Sequence, residues 1–153
     1  MTALELKVPP VLVAVITAAL MWVTHVLTPE TPIPVIFRKI AMYTFAATGA
    51  VTGFAGIVSF RKAGTTVNPL HPDQCTSLVN SGIYRLTRNP MYLALLLALL
   101  GWGLLLGDLY SLAWTAVFVL FMNRFQIQPE ERALEKRFGA EFTRYQEQVR
   151  RWI

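Results

Sequence analysis

The sequence predicts an all-α, polytopic membrane protein with four transmembrane helices and a C-terminal amphipathic interfacial helix. Composition points there first. Of 153 residues, 54% are hydrophobic and only 15% charged, where a soluble domain carries about 25% charge. The distribution is the second observation: long stretches hold no charge at all, while others are dense in Arg, Lys and Glu. The third is a closing segment with helical apolar periodicity and a charged opposite face. The length suits one unit, so residues 1–153 are read as a single membrane-embedded domain.

The first apolar segment, residues 9–27, approaches the ~20 residues that cross a ~30 Å hydrocarbon core. Glu5 and Lys7 make a poor positive n-region, and the apolar stretch outruns that of a signal peptide, so a retained span is expected. The second segment covers residues 40–60, with Arg38 and Lys39 just before it. The third, residues 91–107, is the shortest and reaches roughly 25 Å at 1.5 Å per residue. Gly107-Asp108 then forces a tight antiparallel hairpin into the fourth segment, residues 109–127. Residues 129–152 are not a span. Leu134, Phe138, Phe142, Tyr145, Val149 and Trp152 recur at spacings of three and four, which puts them on one helix face. Gly139 interrupts that pattern and marks a bend.

Orientation follows from the cations. Arg61, Lys62, Arg85 and Arg88 lie between spans two and three, and seven more Lys and Arg lie from Arg124, near the end of the fourth span, onward. The link between spans three and four has none. The balance places both termini and loop 61–90 in the cytoplasm. A net charge of +5 might suggest nucleic acid, but the cations cluster at span edges, so no nucleic-acid partner is expected. Cys75 is the sole cysteine, so no intrachain disulfide forms. No His or second Cys lies nearby in sequence, so neither a metal site nor a thiol triad is expected. His25 and His71 carry no motif.

Two polar clusters exceed what a bundle needs. In the first, Asn89-Pro90 reads as N-cap and first residue of span three. That helix end, with Arg85 and Arg88 beside it, makes an anion site. Gly82 permits a close turn, and Tyr84 and Tyr92 offer flat surfaces. The same residues also serve as ordinary interface anchors. In the second cluster, Pro129 opens the tail helix with Glu130 and Glu131 in its first turn, where carboxylates offset the helix dipole. Arg124 ends an apolar span, where it either snorkels to water or holds a polar substrate group. The hairpin brings both clusters to one membrane face.

Ser81-Gly82-Ile83-Tyr84, Arg88-Asn89-Pro90-Met91-Tyr92, Glu130-Glu131-Arg132-Ala133-Leu134 and Phe138-Gly139-Ala140-Glu141-Phe142, in that order, resemble the isoprenylcysteine carboxyl methyltransferase and phospholipid methyltransferase superfamily over about residues 60–152. The resemblance implies S-adenosylmethionine as methyl donor, a cytoplasm-facing donor pocket and an acceptor that enters from the lipid. By position it implies donor contacts from Leu78, Val79, Tyr84, Asn89, Tyr92 and Glu130. Arg88 and Glu131 would support them, and Arg124 would lie on the acceptor side. Arg124 and Glu131 are thus the residues expected to act on the acceptor. Asn89 stands where eukaryotic members carry His; it donates and accepts hydrogen bonds but does not titrate near neutrality. Gln126-Ile127-Gln128-Pro129 replaces the longer charged run of members that methylate prenylcysteine. Three readings follow: a lipid-like acceptor of carboxylate type, a phospholipid amine or thiol, with Glu131 as base for an amine, or a non-enzymatic scaffold whose tail binds anionic lipid or a partner.

Overall fold

The computed structural model of the chain describes residues 5–64 and 77–153; Cys75 and His71 fall outside them. Among the described residues every regular element is helical. Helix α1 spans Pro10–Leu27 and α2 spans Val35–Lys62. A short 3-10 turn, Gly82–Arg85, precedes α3, Pro90–Leu106. Helix α4, Leu109–Phe121, runs through a π-helical segment, Met122–Ile127, into α5, Gln128–Phe138. Helix α6 is Ala140–Gln148.

Helices α1 and α2 are each long and apolar enough to cross a bilayer, while α3, at 17 residues, is shorter. Their surfaces suit lipid rather than water. Only 28% of the apolar window of α1 and 17% of that of α2 is buried, and Phe54 and Val51 stand about 70% and 69% exposed. A soluble protein rarely leaves so much contiguous apolar surface open.

Helix α3 is central. It packs on α1, α2 and α4. The α2 face against it is a seam of small residues, where backbones approach closely as membrane helices favour. A Cβ on Gly49 would sit 3.0 Å from the Ala94 carbonyl oxygen, and one on Gly53 would sit 3.2 Å from Ala94 Cβ. Polar side chains tie the apolar helices together. Ser111 Oγ donates to the Met21 carbonyl at 2.7 Å, Trp102 Nε1 to that of Ala18 at 3.2 Å, and Trp114 Nε1 to Thr24 Oγ1 at 2.9 Å.

The expected hairpin is present. Gly107 ends α3 at φ 76°, and its N–H reaches the Gly103 carbonyl. Asp108 caps α4 by accepting from the Ser111 N–H at 2.6 Å. A Cβ on Gly107 would both strain this left-handed turn and run into the Arg38 guanidinium. Gly107→Ala is therefore expected to cost about 1–3 kcal/mol, seen as a lower unfolding midpoint in detergent. An unchanged midpoint would show that Arg38 moves aside freely.

Several expected boundaries need correction. The second span was expected to begin at residue 40, because Arg38 and Lys39 interrupt the apolar run. Helix α2 begins five residues earlier, because Arg38 has partners within the fold: it donates to the Leu106 carbonyl at 3.0 Å and pairs with Glu30 at 2.7 Å. Pro129 does not open a separate tail helix. The chain is helical from Leu109 through Phe138, because the wider π turn absorbs the proline. The Gln128 N–H reaches back five residues to the Asn123 carbonyl. Pro129 has no N–H to offer the Phe125 carbonyl, which instead accepts from the Leu6 N–H at 3.1 Å. The tail does bend at Gly139 (φ 52°, ψ −126°), but it leaves the helix at Val149, so Trp152 lies on an extended strap rather than on the helix.

Candidate active site

The two polar clusters meet where α3 begins and α5 starts. Consecutive residues on a helix point about 100° apart, so Glu130 and Glu131 serve different partners. Glu130 turns toward α3. Its Oε1 accepts from the Tyr92 hydroxyl and from Gln126 Nε2, the latter at 2.8 Å, and Gln126 Nε2 also lies 3.4 Å from the Tyr92 oxygen. No hydrogen bond from the described residues reaches Glu130 Oε2, which leaves one carboxylate oxygen as an acceptor without a described donor. Burial pushes the Glu130 carboxyl up to about 7; the hydrogen bonds from Tyr92 and Gln126 pull it down, and the neighbouring Glu131 charge adds to the rise.

Glu131 turns toward the strap. Its Oε1 accepts from Arg88 Nη2 at 2.7 Å and Arg151 Nε at 3.2 Å, and its Oε2 from Arg151 Nη2 at 2.5 Å. Arg88 is the hub. Its Nη1 donates to the Gln146 and Val149 carbonyls at 3.0 and 2.7 Å, and its backbone N–H to the Arg150 carbonyl at 3.0 Å. Asn89 occupies the expected cap position at the start of α3, but its side chain makes no cap bond. Its Nδ2 donates instead to the Arg151 carbonyl at 2.9 Å. The Asn89 N–H goes to Thr87 Oγ1. The Arg88-Asn89-Pro90 run therefore ties down the end of α6 and the strap as well as opening α3.

Leu78, Val79 and Tyr84 form an apolar wall beside this network. They pack with Phe142, Tyr145 and Val149. Tyr84 meets the Phe60 ring edge-on at 5.3 Å, and its carbonyl accepts from the buried Tyr145 hydroxyl at 2.7 Å. Tyr92 belongs to the other cluster, with Met122, Ile127 and the partly buried Trp152.

Arg124 is placed apart. Its Nη1 binds Glu5 Oε1 at 2.9 Å, and Arg132 binds the other Glu5 oxygen at 3.0 Å. The structure brings together Tyr92 with Glu130, and Arg88 with Glu131 and Asn89. It does not bring Arg124 into either network. Sequence reasoning missed Gln126, although its place four residues before Glu130 in an apolar run was a usable signal. It also missed Arg151, for which no local pattern exists. Trp152 Nε1 donates to Asn123 Oδ1 at 3.0 Å and closes the strap over the π segment. A π turn interrupting an α-helix is itself frequent at functional sites. Among the described residues no cluster of His, Cys, Asp and Glu suits a metal ion.

Comparison with known proteins adds a relative from Haemophilus influenzae, described as an uncharacterized protein. It is 55% identical over 65 residues, covering 41% of this chain and all of that protein. No solved structure matches the chain. Residues 37–141 match the family model of phospholipid methyltransferases, a stretch that holds Tyr92, Gln126, Glu130 and the Arg88–Glu131 pair, and the chain belongs to that family of membrane methyltransferases.

Proposed function

We propose that the protein transfers a methyl group from S-adenosylmethionine to a lipid-like acceptor that partitions into the membrane. The observation that carries this reading is the half-open Glu130 carboxylate. Tyr92 and Gln126 fix one oxygen, and the other has no donor among the described residues. An ionised carboxylate held this way suits the paired hydroxyls of a ribose, since hydrogen bonds to a charged acceptor are roughly twice as strong as neutral ones. Bound there, S-adenosylmethionine would supply an activated methyl whose carbon–sulfur pair returns to sulfur as the acceptor's lone pair bonds to carbon.

The chain's own residues then align and shield. Tyr84 and Val79 are buried beside the site and supply an apolar wall. Asn89 and Arg88 fix the strap that closes it. Glu131, with both oxygens engaged by guanidinium groups, holds Arg88 and Arg151 in place. Positioning of this kind supplies up to about 7–11 kcal/mol in favourable cases. We place the pocket on the cytoplasmic face, with four spans and both termini inside, from the distribution of Lys and Arg.

On the acceptor, Arg124, the guanidinium that would meet a carboxylate, is paired with Glu5 through Nη1. Glu131, the base an amine acceptor would need, is likewise held, by Arg88 and Arg151, so a carboxylate and a phospholipid amine stand as the two acceptor readings. Mass analysis of lipid extracts after incubation with labelled donor separates the two by the site of the new methyl group.

Donor binding in detergent, followed by calorimetry, tests the reading. With Glu130 titrating at about 7, the ionised fraction rises from about a tenth at pH 6 to about nine tenths at pH 8. Affinity is expected to rise by roughly tenfold over that range. Near pH 6 the heat should depend on the buffer, because binding releases the Glu130 proton. Absence of binding at either pH defeats the enzyme reading, and a pH-independent affinity defeats the role given to Glu130.

A further inference from the structure

A concavity lies against Tyr145. It is a cleft of about 570 Å³ between the turn after residue 80 and helix α6. Arg85 and Arg144 line it, with the amides of Asn80 and Gln148, and Tyr145 and Val149 form its buried floor. Arg85 makes no hydrogen bond or ion pair among the described residues, and Arg144 makes one, from Nε to the Ala140 carbonyl of its own helix at 3.3 Å. Both outer nitrogens of Arg144 and the whole Arg85 fork thus have no acceptor among the described residues, although Glu141 lines the same cleft. Two guanidiniums against one carboxylate leave a single uncompensated positive charge.

The cleft also has a defined height. Arg85 lies five residues before Pro90, where α3 begins, and Gly82 abuts Ser59 near the end of α2. The turn therefore sits at the level where two apolar helices end, which is the headgroup layer when those helices span a bilayer. Leu86, next to Arg85, is 70% exposed. Such a side chain is costly in water and favourable when it dips among acyl chains.

From these observations we infer that the cleft is a binding site for an anionic phospholipid, distinct from the donor site. The phosphodiester lies between Arg85 and Arg144, its single negative charge matches the cleft's surplus positive one, and its acyl chains run past Leu86. Arginine forks suit phosphate oxygens because two parallel N–H groups meet two acceptors. The floor connects this site to the first: Tyr145 is buried beneath the lipid and its hydroxyl holds the Tyr84 carbonyl. The inference stands on the cleft's own residues and does not require the methyl-transfer reading.

The test uses the full chain in non-ionic detergent, titrated with dihexanoyl phosphatidylglycerol and followed by microscale thermophoresis. Saturable binding is expected, with affinity at least tenfold weaker in Arg85→Gln/Arg144→Gln. Dihexanoyl phosphatidylcholine and inorganic phosphate, run as separate arms, should bind at least tenfold more weakly than phosphatidylglycerol. Both arginines are exposed, so the double variant should keep the wild-type unfolding midpoint; if it does not, each single variant carries the test with an expected loss of threefold or more. Binding of phosphatidylglycerol within twofold of wild type in the variants overturns the proposal. So does equal binding of phosphatidylcholine, which would indicate an acyl groove, or equal binding of phosphate alone, which would indicate a free-anion site.

Discussion

Replacing Arg88 by alanine is expected to lower the unfolding midpoint of the detergent-solubilised protein by about 10 °C, from a loss of about 3–5 kcal/mol. The size follows from what one side chain holds. Arg88 is only 11% exposed. Its Nη1 satisfies the carbonyls of Gln146 and Val149 where α6 ends, and its Nη2 pairs with Glu131. Truncation leaves two carbonyls without this donor and a carboxylate with one of its two guanidinium partners in a partly buried setting, and orphaned groups cost more than the lost bonds alone. Arg151 then carries Glu131 by itself. Arg88→Lys should recover less than half of the loss, since one ammonium cannot reach α6 and α5 in the fork geometry of a guanidinium. The emission of Trp152, tied to Asn123 at the edge of this network, should change before the global transition as the strap detaches. A midpoint within 2 °C of wild type, or full rescue by lysine, would show that charge alone matters at this position.

The same clasp shows why part of the site was legible in the sequence. The approximate places of the apolar helices followed from uncharged runs, and the hairpin from Gly107-Asp108, because apolar run length and glycine conformation are local constraints. The meeting of the two polar clusters followed from the hairpin, while the Tyr92–Glu130 bond within it comes from the structure. The helix boundaries failed where a charge had a distant partner. Arg38 looked like an end of helix, yet it is held by Leu106 and Glu30, and nothing near residue 38 in sequence reveals that. Pro129 looked like a helix start, yet the π turn and the Leu6 N–H together remove the conflict it would cause. Arg124 reads from sequence as snorkelling to water or holding a polar substrate group, with no partner suggested nearby. Its partner, Glu5, is at the other end of the chain. Arg151 is the converse case: it contacts Glu131 only because the chain leaves the helical pattern after Gln148 and doubles back.

Glu130→Gln is expected to separate stability from donor binding, moving them in opposite directions. The amide matches the carboxylate in shape, and its oxygen can still accept from Tyr92 and Gln126, so the local fold should persist. The fold raises the Glu130 carboxyl from 4.5 to about 7 by burial. Stability from burying the neutral acid is therefore complete below pH 4.5, declines as pH rises between these values, and is gone above about 7. Glutamine is neutral throughout. At pH 8 the variant should be the more stable protein by on the order of 1–3 kcal/mol, with a higher unfolding midpoint, and at pH 4.5 the two should converge. Donor affinity at pH 8 should fall at least tenfold, because the open Oε2 acceptor becomes an amide donor facing hydroxyl groups. A buried charge kept at a cost to stability is what a binding role requires and a packing role does not. If the variant gains stability and binds the donor as well as wild type, Glu130 is an uncompensated burial and not a ligand. If it loses stability at pH 8, the carboxylate is held in the charged form by contacts beyond Tyr92 and Gln126.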